Sequence, residues 1–175
     1  PAAASWLRIT LCGIVAALLV ACGPGGSGEG IDPGIVEIPI AFLKRPIPVD
    51  DMGYEVQADT RDPPLFSAGG DVYLRTSTAV GAATVHISRS VTGGRGDVKG
   101  LNVSHDGTRI LFSLRLFDPD VNDDVVPSWN IYEYIIEDAT LHRVISRQFA
   151  EQGEDLYPAY LPDGRILFTS DRQRQ

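Results

Sequence analysis

Cysteine is scarce in this chain of 175 residues, which contains only Cys12 and Cys22. Two cysteines so close to the N-terminus exclude a disulfide framework and a cysteine-rich zinc site. The motif C-x-x-C-H is absent, so no c-type haem is attached within this sequence. Basic residues are also few: 15 lysines and arginines stand against 23 acidic residues, a formal net charge of −8. Because phosphate neutralisation needs clustered basic side chains, a nucleic-acid partner is not expected.

Helical periodicity is lacking as well, since from residue 31 onward no window keeps the i, i+3, i+4, i+7 apolar spacing of an amphipathic helix. Short β-rich runs instead recur between glycine, proline and aspartate residues, which predicts an all-β fold. The predicted strands are 35–43, 71–76, 83–88, 98–104, 109–116, 129–136, 140–146, 156–160 and 165–170.

The N-terminal segment 1–21 has the pattern of a secretory signal. Arg8 precedes an apolar run from Ile9 to Val20, which is too short to span a bilayer as a helix. The run ends Leu-Val-Ala-Cys22, which resembles the bacterial lipobox. The resemblance implies that Cys22 is lipidated and that the signal is cleaved before it. Gly23, where inner-membrane lipoproteins carry aspartate, implies an outer membrane location facing the periplasm.

Residues 22–34 are the expected lipidated cysteine and a glycine-rich, flexible tether. Residues 35–175 are the expected folded part. A lipid anchor, a tether and a folded body predict an envelope protein held at the membrane through its acyl chains.

Two hairpins in the folded part resemble each other. Asp163-Gly164 is followed directly by Arg-Ile-Leu-Phe, and Asp106-Gly107 is followed by the same four residues after a one-residue gap at Thr108. Asp-Gly closes a tight turn because glycine accepts positive φ. The Ile-x-Phe that follows places two large apolar side chains on one face of a strand. Ile40-Ala-Phe42 looks like a third copy of the second strand.

Four strands per repeating unit indicate a β-propeller blade. The units would be 35–91, 98–146 and a third starting at 156, which makes about two and a half four-stranded blades. Propellers close with about 4–8 blades. We therefore expect this sequence to be the N-terminal part of a larger propeller, truncated at its C-terminus. An unrelated β-sandwich with two similar hairpins is the alternative.

The block from Leu156 to Arg172, with its Leu-Pro-Asp-Gly-Arg turn, resembles the TolB-type propeller repeat. Together with Phe42-Leu-Lys-Arg-Pro46, Asp71-Val-Tyr-Leu-Arg75 and Trp129-Asn-Ile-Tyr-Glu-Tyr134, it is similar to the N-terminal propeller region of hydrazine synthase alpha subunit-like proteins. The resemblance covers about three quarters of the chain. It implies a propeller whose redox chemistry lies on haems bound outside it, so no catalytic residue is carried over.

Oxygen-bearing side chains alternate at Asp118, Asp120 and Asn122, which resembles the start of a calcium loop. The pattern then breaks, because Asp123 replaces the glycine of the sharp turn and Trp129 replaces the final glutamate. A solvated acidic loop is the alternative to a calcium site.

Other reactive side chains form no motif. The three histidines, His86, His105 and His142, lack ligand spacing, and no G-x-S-x-G elbow surrounds a serine. Asp171 and Arg172 are expected to form an ion pair. The aromatic side chains at 129, 132 and 134 either line a ligand surface or pack in the blade core.

These observations predict a membrane-anchored envelope lipoprotein whose propeller is a binding or scaffolding module for a protein partner or a small ligand. One alternative is the propeller domain of a hydrazine synthase alpha-like multihaem oxidoreductase. Another is the propeller domain of a hydrolase or peptidase. No cofactor other than calcium is expected within this sequence.

Overall fold

The structure is a computed structural model, and it describes residues 37–47, 49–55 and 66–172. These residues form nine strands in three antiparallel sheets, none of which closes on itself. The first sheet has the order β1-β2-β3, the second β4-β5-β6-β7 and the third β8-β9. The strands are β1 (Ile40–Lys44), β2 (Asp71–Arg75), β3 (Thr84–His86), β4 (Asp97–Val103), β5 (Arg109–Arg115), β6 (Asn130–Ile135), β7 (Thr140–Arg143), β8 (Asp155–Tyr160) and β9 (Ile166–Ser170).

The all-β prediction is confirmed, and each predicted strand overlaps an observed one. The expectation of no helix after residue 31 is wrong for two short segments. Two helices of a single turn, α1 (Arg89–Thr92) and α2 (Arg147–Ala150), follow β3 and β7. Four residues are too few to produce an apolar periodicity, so the helical spacing could not indicate them.

The second sheet is buried on both of its faces. Ile110 and Phe112 belong to one apolar cluster that also contains Val72 and Leu74 of the first sheet. Leu111, between them in sequence, belongs to a second cluster that Tyr160 of the third sheet completes. Alternate residues of β5 thus pack against different sheets, which explains why its sequence is a continuous apolar run.

The two outer sheets expose positions that the second sheet buries. Ile40 in β1 is 41% exposed, whereas Ile110, its counterpart in the repeat, is fully buried. Leu167 in β9 is 60% exposed, whereas its counterpart Leu111 is fully buried. The three sheets therefore form a stack whose end faces keep the apolar pattern of an interior sheet.

Strands β4 and β8 contain the same irregularity. The register of β4 shifts between Lys99 and Asn102, and that of β8 shifts between Leu156 and Ala159. A residue with positive φ lies within each shift: Gly100 at 58° and Tyr157 at 54°. The two bulges touch, since a methyl group at residue 100 would lie 2.8 Å from Tyr157 Cα. The repeat seen in the sequence therefore extends to backbone geometry.

The predicted signal segment, Cys22 and the tether lie outside the described residues. Among the residues that the structure describes, no helix is long and apolar enough to cross a bilayer.

Candidate functional site

Buried aspartates at strand starts bind arginines. Asp97, the first residue of β4, is fully buried and accepts hydrogen bonds from Arg45 Nε at 2.8 Å and Nη2 at 2.9 Å. The backbone N–H groups of Ser67 and Val98 complete its shell at 2.8 Å each. The bidentate bond to Asp97 raises the pKa of the Arg45 guanidinium. Arg45 follows β1, so this ion pair fastens the first sheet to the second.

Asp155, which begins β8, is the equivalent residue in the third sheet. It is fully buried, and Arg172 Nη2 donates to both of its carboxylate oxygens. The predicted pair between Asp171 and Arg172 is therefore wrong. Asp171 Oδ1 instead accepts from the backbone N–H of Glu154 at 2.6 Å. The side chains of neighbouring residues in an extended chain point to opposite sides, so Arg172 points away from Asp171 and bonds to Asp155 across the hairpin.

Aspartate, histidine and serine side chains meet in the first sheet, in a group the sequence did not reveal. Ser88 Oγ donates to Asp71 Oδ1 at 2.7 Å, and Thr92 Oγ1 donates to the same oxygen at 2.9 Å. His86 Nε2 lies 2.9 Å from Asp71 Oδ2, without the alignment of a hydrogen bond. Ser88 Oγ also accepts from the backbone N–H of Val72.

This group has the residue types of a catalytic triad but not its geometry. Ser88 is fully buried and bonds to the carboxylate of Asp71, whereas a nucleophilic serine must bond to the imidazole that takes its proton. The arrangement joins β2 to the turn before α1. It is a structural clasp that leaves no hydroxyl available to a substrate.

A second charged group lies where the second and third sheets meet. Glu133 is mostly buried and accepts a hydrogen bond of 2.5 Å from the hydroxyl of Tyr160. His142 Nε2 lies 3.2 Å from Glu133 Oε2, and Arg109 Nη1 lies 3.5 Å from Oε1. Burial, followed by the bond to Glu133, raises the pKa of Tyr160 well above its usual range. The hydroxyl therefore remains a donor at neutral pH and holds the two sheets together.

The turn residues of the repeat close two similar hairpins. Gly107 has φ of 71° and Gly164 has φ of 83°, so both occupy the left-handed region. Asp106 Oδ1 accepts bonds from Ser104 and Thr108, which lower the pKa of its carboxyl well below the usual range. Asp163 Oδ1 accepts from the backbone N–H of Arg165 at 3.1 Å.

The predicted calcium residues lie in the exposed loop between β5 and β6. Asp118 Oδ1 accepts from the backbone N–H of Asp120, and Asp120 Oδ1 accepts from that of Asn122, both at 3.1 Å. The carboxylates thus form successive Asx turns. Nowhere in the described part of the chain do three or more His, Cys, Asp or Glu side chains gather as a group that could hold a metal ion. A calcium site at these residues stays a prediction.

The remaining candidates divide between surface and core. His105 is exposed in the turn after β4, and His142 is exposed on β7. Trp129, Tyr132 and Tyr134 are all buried, which favours packing in the core over an open ligand surface.

Comparison with known proteins gives no relative: no protein-family model, no curated protein and no solved structure matches the chain.

Proposed function

We propose that this chain is a lipid-anchored envelope protein whose sheets are blades of a β-propeller, and that the propeller serves as a binding and scaffolding module. The observation that carries the proposal is the stack of sheets. The second sheet buries Leu111 on one face and Ile110 on the other, as an interior blade does. The outer faces of the first and third sheets carry apolar residues at the equivalent positions, Ile40 and Leu167, but these side chains are exposed.

A propeller accounts for this exposure, because each blade packs its apolar faces against its two neighbours around a ring. A β-sandwich buries only one face of each sheet. The described residues form three antiparallel sheets that follow one another along the chain. A sandwich with two similar hairpins would not produce this order.

Three buried aspartates favour a module that binds over one that catalyses. Asp97, Asp155 and Asp71 each direct their carboxylate oxygens to partners within the protein. Nothing in residues 37–47, 49–55 and 66–172 favours the multihaem oxidoreductase or the hydrolase, and we propose neither.

The ring is tested by placing a charge on an end face. In the native envelope protein, Leu167→Glu would bury a carboxylate between blades and should lower the melting temperature strongly. Val121→Glu is the matched control, because Val121 is 80% exposed in the β5–β6 loop and faces no sheet. If both variants have the melting temperature of the parent protein, the end face of the third sheet is open to solvent and the propeller proposal is wrong.

The anchor is tested separately at Cys22. Cys22→Ser removes the thiol that would receive the diacylglyceryl group, so labelled palmitate should no longer be incorporated and the protein should leave the membrane fraction. A Cys12→Ser variant should label normally, because Cys12 belongs to the predicted signal. Continued labelling of Cys22→Ser would overturn the lipobox assignment.

A further inference from the structure

The Ile-x-Phe segments of the repeat pack against the preceding sheet. Ile110 and Phe112 of the second sheet share an apolar cluster with residues of the first sheet. Ile166 and Phe168 of the third sheet share a cluster with residues of the second sheet. We call the face that carries this segment the leading face of a sheet, and the opposite face its trailing face. The same interface therefore occurs twice, each time between a leading face and the trailing face of the sheet before it.

The stack ends with one uncovered face of each kind. Ile40 and Phe42 lie on the leading face of the first sheet, and neither belongs to an apolar cluster of the described residues. Leu167 lies on the trailing face of the third sheet and is exposed, whereas its equivalent Leu111 is covered by the third sheet. A trailing face is the surface that covers a leading face in this protein, so the two ends of the stack are complementary to each other.

The aromatic side chains of the first leading face are arranged like those of a leading face that is already docked. The rings of Phe42 and Tyr73 stack with their centroids 5.5 Å apart, and the equivalent rings of Phe112 and Tyr132 stack at 6.4 Å. His86 extends the first stack at 4.3 Å from Tyr73. The first sheet therefore presents the surface of an interior sheet to solvent.

Position 44 is where this face differs from that of the second sheet. Lys44 is exposed, whereas its equivalent Leu114 is fully buried. The equivalent residue in the third sheet, Ser170, is also polar and exposed, although the leading face of that sheet is docked. A polar residue at this position is thus compatible with docking. The positive charge of Lys44 also favours a partner with the formal net charge of −8 that this chain carries.

We propose that a second copy of this chain covers both end faces. The third sheet of each copy docks its trailing face on the leading face of the first sheet of the other copy. The contact is heterologous, because the two surfaces differ, and such contacts form a ring when the rotation closes. With three described sheets in each copy, two copies make a ring of six, which lies within the range of about 4–8 blades seen in propellers. The inference rests on the proposed propeller and identifies the partner that completes it.

Light scattering after gel filtration tests the assembly. The full chain, purified in detergent, should have twice the mass of one chain after the mass of bound detergent is subtracted. A monomer would overturn the inference. The propeller itself would then stand or fall on the melting temperature of Leu167→Glu, because further sheets of a longer polypeptide would cover the same faces. A series of oligomers larger than the dimer would show that the contact does not close, and would overturn the proposed ring.

Single charges on the end faces locate the contact. Ile40→Lys and Leu167→Glu each place one charge in both interfaces of the ring, so each should weaken dimerisation at least about hundredfold, or tenfold for each interface. Both positions are exposed within one copy, so each variant should fold. Val121→Glu, in the exposed β5–β6 loop, should dimerise as the parent does. An end-face variant with the dimer affinity of the parent would place the contact elsewhere and refute the proposal.

Mixing the two end-face variants distinguishes the heterologous ring from a dimer in which like faces meet. The positions equivalent to Leu167 and Ile40 in the interface of the second and third sheets, Leu111 and Ile166, belong to one cluster. An equimolar mixture therefore contains one unaltered interface and one in which lysine faces glutamate, and it should dimerise at least about tenfold more tightly than either variant alone. If like faces met, one of the two variants would dimerise normally by itself. That result, or a mixture no tighter than its components, would contradict the proposed contact.

Discussion

Gly100 provides a direct test of how the second and third sheets pack. Its φ is 58°, so alanine at this position would adopt the left-handed conformation at a cost of about 1–2 kcal/mol. The added methyl group would also lie 2.8 Å from Tyr157 Cα and 3.2 Å from Tyr157 N. These are backbone atoms of β8 and cannot rotate away, so the third sheet must shift. Overpacking of this kind costs about 1–3 kcal/mol.

Gly107→Ala is the matched control. Gly107 has φ of 71°, close to that of Gly100, but no atom lies within 4 Å of the position of its added methyl group. The backbone cost is thus the same, about 1–2 kcal/mol. Gly100→Ala should therefore destabilise the chain by about 1–3 kcal/mol more than Gly107→Ala does.

Urea unfolding followed by tryptophan fluorescence measures this difference, because Trp129, which directly precedes β6, is fully buried. Equal midpoints for the two alanine variants would show that β4 and β8 do not touch at their bulges. That result would remove the contact on which the stacking of the second and third sheets is argued.

Three further predictions concern charges. Arg45→Met leaves the buried carboxylate of Asp97 with backbone donors alone. It should lower the free energy of unfolding by about 2–3 kcal/mol, a value reduced because Arg45 is partly exposed. Arg147→Met is the control: it breaks a solvent-exposed ion pair and should leave the urea midpoint unchanged. Equal effects of the two variants on the urea midpoint would refute the structural role of the Arg45–Asp97 ion pair. The raised pKa of Tyr160 favours its protonated form in the folded state, so its contribution is complete below pH of about 10 and is lost as the pH rises further. Above pH of about 10, the melting temperature of the parent should fall more steeply with pH than that of Tyr160→Phe. Equal falls in the two proteins would show that the Tyr160 hydroxyl does not stabilise the fold. Calcium should raise the melting temperature of the parent but not of Asp120→Asn, and no calcium effect on the parent would leave the acidic loop as a solvated turn.

The sequence predicts the strands well because their signals are local. Asp-Gly turns at 106 and 163 fix the two hairpins, and an apolar run after each marks the returning strand. The two single-turn helices were missed, yet a signal was present. Ile87-Ser-Arg89 and Ile145-Ser-Arg147 are identical triplets, and each leads into one of these turns. A comparison of repeat units, rather than a search for periodicity, would have found them.

The polar contacts between elements could not be predicted in the same way. Arg45 and Asp97 are 52 residues apart, and Tyr160 and Glu133 are 27 apart. Whether such residues meet depends on sheet register and on which face each strand presents, and a shift of one residue reverses every face. The sequence instead favoured the neighbours Asp171 and Arg172, which the extended backbone separates.

The repeat also shows how two units of similar backbone differ in their buried polar contacts. When two units have the same backbone geometry, the hydrogen bonds of a buried polar group in one unit can be compared with those of the equivalent group in the other. Asp71 Oδ1 accepts hydrogen bonds from the hydroxyls of Ser88 and Thr92. Asn130 occupies the same place in the second sheet, and its buried Oδ1 accepts no hydrogen bond from the described residues. A buried oxygen without a donor is destabilising, so the second sheet loses stability where Ala150 stands in the place of Thr92, whose hydroxyl bonds to Asp71 in the first sheet.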